Sequence, residues 1–319
     1  MNEGAMAAIS AFLPALWSDL EAAGANLILV GGYALYQRQL HYERLDQAGR
    51  ERAFLVPAAR WPELRTTKDM DFIVPLWAMK PEVFSSMEKA FRKHGFTVMA
   101  KREYLSFERG DCHFDLMCPQ PGQAEAATIK RPTRGSDRIR PKYKDVVSPD
   151  LHARLTPELL FVKHLSAEEI IVPSLGLELR LAHPLTQLIA KLVAAEDRHN
   201  GRLAEALRRG DRDAEREHRR AWDKHGNDTL RCLAMIEPGE LDVMETELKS
   251  EPLQVNGPFG YQDFRQAARW EIAQLRRGDT QHDLSAWREN DLAILRDALE
   301  IIDAAIAAGP VLVGSADGR

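Results

Sequence analysis

The sequence is poor in cysteine, in long apolar runs and in net charge, and each shortage excludes a class of protein. Its 319 residues include only Cys112, Cys118 and Cys232, which form neither a disulfide framework nor a zinc-ligand spacing, so we expect a reduced, cytoplasmic protein. No apolar run is long enough to span a bilayer. The formal net charge of −5 gives no overall attraction to nucleic acid, so binding of that kind requires a local basic patch.

The apolar stretch 5–17 lacks the features of a secretory signal. The residues before it include Glu3 but neither Lys nor Arg, and no convincing cleavage site follows. We therefore expect a first amphipathic helix over 5–23, which Pro14 kinks or starts. The chain also contains no internal repeat and no low-complexity tract.

The pattern of apolar residues predicts an α+β fold in two regions. Over 1–183, short β-prone runs alternate with helices, which indicates a mixed β-sheet flanked by helices. Residues 37–62 and 119–150 interrupt this region as insertions, the second without any regular apolar period. Pro184 opens a strong helix, and from there a mainly helical C-terminal domain is expected over 184–319. The expected strands are 26–30, 69–75, 96–100, 104–108, 113–117, 170–173 and 177–181.

Asp69 and Asp71 lie two residues apart at the start of the β-prone run DMDFIV. On a strand, residues i and i+2 project from the same face, so the two carboxylates repel each other. A bound divalent cation removes that repulsion, and aspartate oxygens are hard ligands suited to magnesium or manganese. Taken alone, the pair is more simply explained by one acid that caps a turn and one that faces solvent.

Two further features change the interpretation of this acidic pair. The strand NLILV runs into Gly31-Gly32 at the start of a helix, where glycines allow backbone N–H groups to approach a phosphate, although such a pair is more often a tight turn. Asp115 lies between Phe114 and Leu116 on a later strand, so it faces away from both. His113 shares that face with Asp115. It would contact the substrate or, more simply, be a surface residue.

The order of these features resembles the nucleotidyltransferase superfold of the polymerase-β-like family. The nearer resemblance is to bacterial nucleotidyltransferases of abortive-infection and toxin–antitoxin systems, whose signature is hydrophobic-Gly-Gly-Tyr-Ala-hydrophobic followed by Arg-x-Thr-x-Asp-x-Asp. The sequences LVGGYAL and RTTKDMD match both parts, with Arg65, Thr67, Asp69 and Asp71 in place. The resemblance extends from residue 26 to about residue 236.

The family also places a Lys, and an Arg seven residues later, in a helix after the sheet. Lys191 and Arg198 match this pair, and two helical turns would put both on one face. A later Lys-x-x-x-Asp element corresponds to Lys224 and Asp228. The alternative is that Lys191 and Arg198 are ordinary surface residues of an amphipathic helix.

The resemblance implies a metal-dependent enzyme that moves a nucleoside monophosphate from a nucleoside triphosphate, such as ATP, to a hydroxyl group. Asp69 and Asp71 would hold Mg²⁺ or Mn²⁺, and Asp115 would complete a second metal position or accept the proton of the attacking hydroxyl. Thr67 would donate to a phosphate oxygen or cap the strand. The remaining implied site residues bind phosphate or offset its charge: Gly31, Gly32, Arg65, Lys191 and Arg198.

The acceptor and the partners stay open. The family suggests RNA such as tRNA, or a protein, as acceptor, and a toxin would have an antitoxin partner. The alternatives are an antibiotic-type transferase that modifies a small molecule, and an inactive nucleotide-binding regulatory protein. The arginine-rich stretch 200–224 would contact an RNA backbone or form a salt-bridged, solvated helix, and its interleaved acids favour the second.

Overall fold

A computed structural model of the chain describes residues 3–50, 52–63, 67, 69–76, 79–99, 106–130, 138–141, 152–159, 168–172, 176–250 and 252–312. Among these residues, a mixed β-sheet flanked by helices is followed by a mainly helical C-terminal region, which confirms the predicted α+β class. Contacts divide the chain into two units. The sheet unit comprises 1–41, 64–183 and 257–259, and the helical unit comprises 42–63, 184–256 and 260–319.

In the sheet unit, helices flank the strands. Its helices are α1 (Glu3–Ala22), the first part of α2 (Gly31–Gln47) and α3 (Pro81–Lys93). Its strands are β1 (Ile28–Val30), β2 (Asp69–Ile73), β3 (Thr97–Val98), β4 (Ser106–Arg109), β5 (Cys112–Cys118), β6 (Ile129–Lys130), β7 (Arg138–Pro141), β8 (Ala153–Leu155), β9 (Glu168–Val172) and β10 (Leu177–Leu181).

The strand order places β2 in the interior of the sheet. The strands run β6-β7-β8-β5-β2-β1-β10-β9, and β4 pairs with both β3 and β5 beside this path. β2 is parallel to β5 and antiparallel to β1. The prediction of an irregular loop over 119–150 is wrong for its described part, which contains β6 and β7. Strands of two and four residues are too short to show an alternating apolar pattern.

Aromatic side chains fill the core between this sheet and helices α1 and α3. Phe72 of β2 stacks on Phe114 of β5 with ring centroids 4.1 Å apart, and Phe91 of α3 stacks on Phe107 at 4.4 Å. Along β5, buried and partly exposed residues alternate strictly. The apolar residues of β5 therefore face the core, and Asp115 faces the other side of the sheet.

The helical unit consists of helices that pack on one another and one short hairpin. Helix α4 packs on α6 and α8, while α9 packs on α7 and α8. The elements are α4 (Pro184–Glu196), a π-helical segment (Asp197–Leu203), α5 (Ala204–Arg209), α6 (Arg212–Ala234), α7 (Pro238–Ser250), β11 (Gln254–Gly257), β12 (Gly260–Asp263), α8 (Arg265–Arg276) and α9 (Glu289–Ala308).

The β11–β12 hairpin is absent from the expectation for this region. Its turn, Pro258-Phe259, is flanked by Gly257 and Gly260, and Gly260 has φ +113°. These turn residues are the local signal that separates a hairpin from a helix. Among the described residues, no helix combines the length and the apolar character that crossing a membrane requires.

Residues 52–62, part of the segment predicted as an insertion over 37–62, pack within the helical unit. The backbone N–H of Leu55 donates to Ile236 O at 2.9 Å, and Arg52 Nε lies 2.7 Å from Glu237 Oε1. Further along, Arg60 pairs with Asp291, the third residue of α9. The segment is therefore part of the helical unit's packing.

Candidate functional site

The parallel pair β2–β5 brings the predicted acids together on one face of the sheet. In the register of the two strands, Asp69 lies opposite His113 and Asp71 lies opposite Asp115. Neighbouring strands are about 4.8 Å apart, so Asp71 and Asp115 project side by side. Both are partly exposed, whereas Phe114 and Leu116 are buried. The expectation that Asp115 faces away from its apolar neighbours is confirmed.

Asp69 is oriented by two polar neighbours. Its Oδ1 lies 3.2 Å from His113 Nδ1. Its backbone N–H donates to Thr67 Oγ1 at 3.2 Å, so Thr67 caps the start of β2. Of the two roles expected for Thr67, strand capping is the one that this geometry supports. The sequence placed His113 on the same face as Asp115, and the structure adds its contact with Asp69.

Gly31 packs directly against the Asp71 carboxylate. Val30, the last residue of β1, pairs with Asp71 on β2, and α2 begins at the next residue. Gly31 has φ +74°, and a Cβ built on it would lie 3.0 Å from Asp71 Cγ and would overlap Oδ2. The first N–H groups of a helix have no partner within that helix, so this helix start offers donors to an anion beside the acidic face.

Among the described residues, no group of three or more His, Cys, Asp or Glu side chains is arranged to hold a metal ion. Asp71 and Asp115, side by side, provide a suitable pair of hard ligands. Asp69 lies on the same face of β2 and contacts His113. Arg65 lies outside the described residues.

The helical unit brings two separate sequence motifs into one contact. Lys191 of α4 and Asp228 of α6 form an ion pair with Nζ–Oδ2 at 2.7 Å, and their side chains are 8% and 3% exposed. Both charges are thereby withdrawn from water, and each satisfies the other. The resemblance placed Lys191 and Asp228 in two separate motifs, and the packing of α4 on α6 brings them into contact.

Arg198 occupies a different backbone setting from the one expected. Helix α4 ends at Glu196, and Arg198 lies in the π-helical segment Asp197–Leu203. The predicted common face of Lys191 and Arg198 assumed α-helical geometry throughout, and that assumption is wrong beyond Glu196. A π-helical segment inside a helix is rare and often marks a functional site.

His225 is the residue of this cluster that sequence reasoning missed. Burial lowers the pKa of His225 well below its usual value, and the positive charge of Lys191 lowers it further. Lys224 and Arg198 act in the same direction, and Asp228 opposes them. The only sequence signal is the position of His225 inside the Lys-x-x-x-Asp element, directly after Lys224.

Five arginines over 200–224 form salt bridges with nearby acids, which agrees with the expected salt-bridged helix. Arg209 pairs with Glu205 at 2.5 Å and Arg219 with Glu215 at 3.6 Å, both one helical turn apart. Pairs at these spacings satisfy exposed arginines locally, so they give no support to a role in RNA binding. Shorter contacts of the same kind join Arg208 to Glu205 and Arg216 to Asp213.

Comparisons with protein-family models, with curated proteins and with solved structures found no match to this chain. The resemblance to nucleotidyltransferases therefore depends on the motif residues themselves and stays a prediction. What the structure adds is the placement of those residues that it describes. Gly31, Asp71 and Asp115 lie together in the sheet unit, and Lys191, Asp228 and His225 lie together in the helical unit.

Proposed function

We propose that the protein is a metal-dependent nucleotidyltransferase that moves a nucleoside monophosphate from a nucleoside triphosphate, such as ATP, to a hydroxyl acceptor. The observation that carries the proposal is the contact of Gly31 with the Asp71 carboxylate, with Asp115 in register on the next strand. A helix start that donates to anions and a pair of carboxylates are chemically complementary to a triphosphate and a divalent cation.

Asp69, Asp71 and Asp115 would hold Mg²⁺ or Mn²⁺. The ion, when bound, supplies charge neutralisation on the phosphates. The free N–H groups at the start of α2, from Gly31 and Gly32 onward, would hold the phosphates in place. The acceptor oxygen would attack the α-phosphorus, the bond to the β-phosphate oxygen would break, and pyrophosphate would leave. The hydroxyl proton would pass to Asp115 or to solvent.

The proposal assigns phosphate binding in the sheet unit to Arg65, and in the helical unit to Lys191 and Arg198. We infer RNA, such as tRNA, or a protein as the acceptor, and a cytoplasmic setting in which a toxin of this kind would have an antitoxin partner. An antibiotic-type transferase would differ in the acceptor alone. An inactive regulatory protein would bind nucleotide and transfer nothing.

Transfer of label tests the proposal directly. Purified protein is incubated with each α-labelled nucleoside triphosphate and Mg²⁺ or Mn²⁺, together with bulk tRNA, a protein extract or small hydroxyl acceptors. We expect transfer by the wild type and a loss of at least about 100-fold in Asp71→Asn, because the variant removes one of the carboxylates that would hold the metal ion, whose charge stabilises the transition state. Asp71→Asn should remain folded.

Asp111→Asn is the matched control, because Asp111 is an exposed acid in the turn between β4 and β5 of the same unit. It should transfer label like the wild type. Absence of transfer by the wild type to all three classes of acceptor contradicts the enzyme proposal. Metal-dependent nucleotide binding without transfer would then favour the regulatory protein.

A further inference from the structure

Ser106 of β4 extends by one strand the row that Asp71 and Asp115 form. It lies directly opposite Asp115 in the antiparallel pair β4–β5, as Asp71 does in the parallel pair β2–β5. Directly opposite residues of an antiparallel pair project from the same face of the sheet, with their Cβ atoms about 4.5–5.5 Å apart. The register therefore places Asp71, Asp115 and Ser106 side by side across three strands.

The next residue of β4 confirms the direction of the Ser106 side chain. Phe107 lies opposite Phe114 and stacks on Phe91 of α3 with ring centroids 4.4 Å apart, so it faces the aromatic core. Successive residues of a strand point to opposite faces, so Ser106 faces the side of the sheet that carries the acids. Its hydroxyl is thus a neutral polar group next to Asp115 on that face.

The Ser106 hydroxyl is buried without a hydrogen bond. The residue is 0% exposed, and its Oγ has no hydrogen-bond partner among the described residues. A buried hydroxyl in this state costs free energy that the methyl group of an alanine would not. In the described part of the chain, the hydroxyl therefore adds no hydrogen bond to the fold. It can still donate one, because a hydroxyl hydrogen rotates toward whichever acceptor lies beside it.

We propose that Ser106 is a positioning residue for the transfer reaction, and that its hydroxyl donates to the Asp115 carboxylate when this carboxylate holds a divalent cation. Hydrogen bonds from neighbouring groups orient the carboxylates that ligate metal ions, and losing one lowers metal affinity by about 10–100-fold. A neutral donor suits this position, because a Lys or Arg would repel the cation. The inference rests on the proposed function in taking Asp115 as a metal ligand.

Binding of Mn²⁺ to the protein alone, followed by the electron paramagnetic resonance of the free ion, measures this contribution without nucleotide. The relevant Mn²⁺ is the one whose binding Asp71→Asn removes. We expect Ser106→Ala to bind it about 10-fold more weakly than the wild type. In urea without divalent cations, the free energy of unfolding of Ser106→Ala should equal or exceed that of the wild type, because an unsatisfied buried hydroxyl is removed. A serine with a purely structural role would not give this combination.

Two variants serve as controls. Ser106→Thr keeps the hydroxyl and should bind Mn²⁺ more tightly than Ser106→Ala. Ser85→Ala makes the same substitution on α3, which packs on the aromatic face of the sheet through Phe91, and it should match the wild type. Equal weakening by Ser85→Ala overturns the inference, and so does a Ser106→Ala variant that is less stable than the wild type without cations.

The same measurements separate failure of the inference from failure of the proposed function. Wild-type affinity for Mn²⁺ in Ser106→Ala overturns the inference alone, since the carboxylates would still hold the ion. A wild type that binds no Mn²⁺ overturns the inference and the proposed metal site together. Weaker Mn²⁺ binding by Ser106→Ala, combined with a wild type that transfers no label, supports the inference and contradicts the enzyme proposal.

Discussion

At the scale of single residues, Gly31 is held to glycine by two separate constraints. Its φ of +74° lies in the left-handed region, and a Cβ would overlap the Asp71 carboxylate. We predict that Gly31→Ala lowers the free energy of unfolding by more than the roughly 1–2 kcal/mol that the backbone conformation alone accounts for. It should also weaken nucleotide binding, because Asp71 must move. Urea denaturation and calorimetry with ATP and Mg²⁺ measure the two effects.

Gly49 provides the control for backbone strain. It has φ +69°, and a Cβ built on it would meet nothing within 4 Å. Gly49→Ala should therefore lose only the backbone contribution and should bind ATP like the wild type. If the two variants lose the same stability and both retain the wild-type affinity for ATP, Gly31 has no role in the site.

The acidic residues were readable from the sequence because a strand has a period of two. Alternation alone predicts that Asp115 and its buried neighbours lie on different faces of β5, and that Asp69 and Asp71 share one face of β2. The surroundings of His225 could not be read in this way. They depend on Lys191 and Arg198, which are 34 and 27 residues away in the sequence (225 − 191 and 225 − 198) and come close only when α4 and the π-helical segment pack on α6.

At the scale of elements, one ion pair ties the segment 52–63 to the start of α9. Arg60 Nη1 lies 3.0 Å from Asp291 Oδ1, and the Asp291 side chain is 0% exposed while that of Arg60 is 32% exposed. We predict that Arg60→Gln lowers the free energy of unfolding by about 3–5 kcal/mol, because it leaves a buried carboxylate without its cation. Asp291→Asn should cost less, since the partly exposed guanidinium can turn to water. Urea denaturation of both variants tests this order.

Arg276→Gln is the control for this comparison. Arg276 pairs with Glu300 at 2.6 Å on the surface of the same unit, and exposed pairs contribute less than about 1 kcal/mol. The double variant Arg60→Gln/Asp291→Asn should recover part of the loss seen in Arg60→Gln. A loss in Arg60→Gln no larger than in Arg276→Gln would show that the pair does not anchor the segment.

The long periodic elements were predictable, and the short or irregular ones were not. Helices α4 and α9 carry apolar residues at helical spacing. Helix α4 begins at Pro184, and α9 has Glu289 and Asp291 in its first turn, which are helix-start signals. Strands β6 and β7 are too short for a period, and they form because β7 pairs with β8. The π-helical segment changes the number of residues per turn, and no local sequence signal predicts this change.

At the scale of the whole molecule, the sequence predicts chemistry within each unit better than it predicts contacts across long separations. Asp71 and Asp115 could be identified from the sequence because the direction of each side chain follows from its position in its own strand. The buried pairs that close over long separations, such as Lys191 with Asp228 and Arg60 with Asp291, depend on which helices pack together. Such packing is decided by the fit of many side chains at once, which no local pattern records.

His282 is the group whose protonation should most clearly affect the stability of the folded chain. Its Nε2 lies 2.8 Å from Glu271 Oε1, and its Nδ1 lies 3.5 Å from Asp223 Oδ1. Trp222 covers the ring and donates to Glu271 Oε2 at 3.0 Å. Burial alone would lower the pKa of His282, but the hydrogen bonds and charges of Asp223 and Glu271 outweigh it and raise the pKa.

A raised pKa in the folded state means that the folded chain binds the proton more tightly than the unfolded chain does. The stabilisation is therefore complete below the unfolded pKa of about 6.5 and is lost as the pH rises through the folded pKa. We predict that the free energy of unfolding of the wild type, minus that of His282→Gln, falls above pH 6.5 with a slope of at most about 1.4 kcal/mol per pH unit. The opposite contribution of His225 cancels in this difference. Urea denaturation between pH 5.5 and 9 measures it, and a pH-independent difference would show that His282 stays neutral in the folded protein.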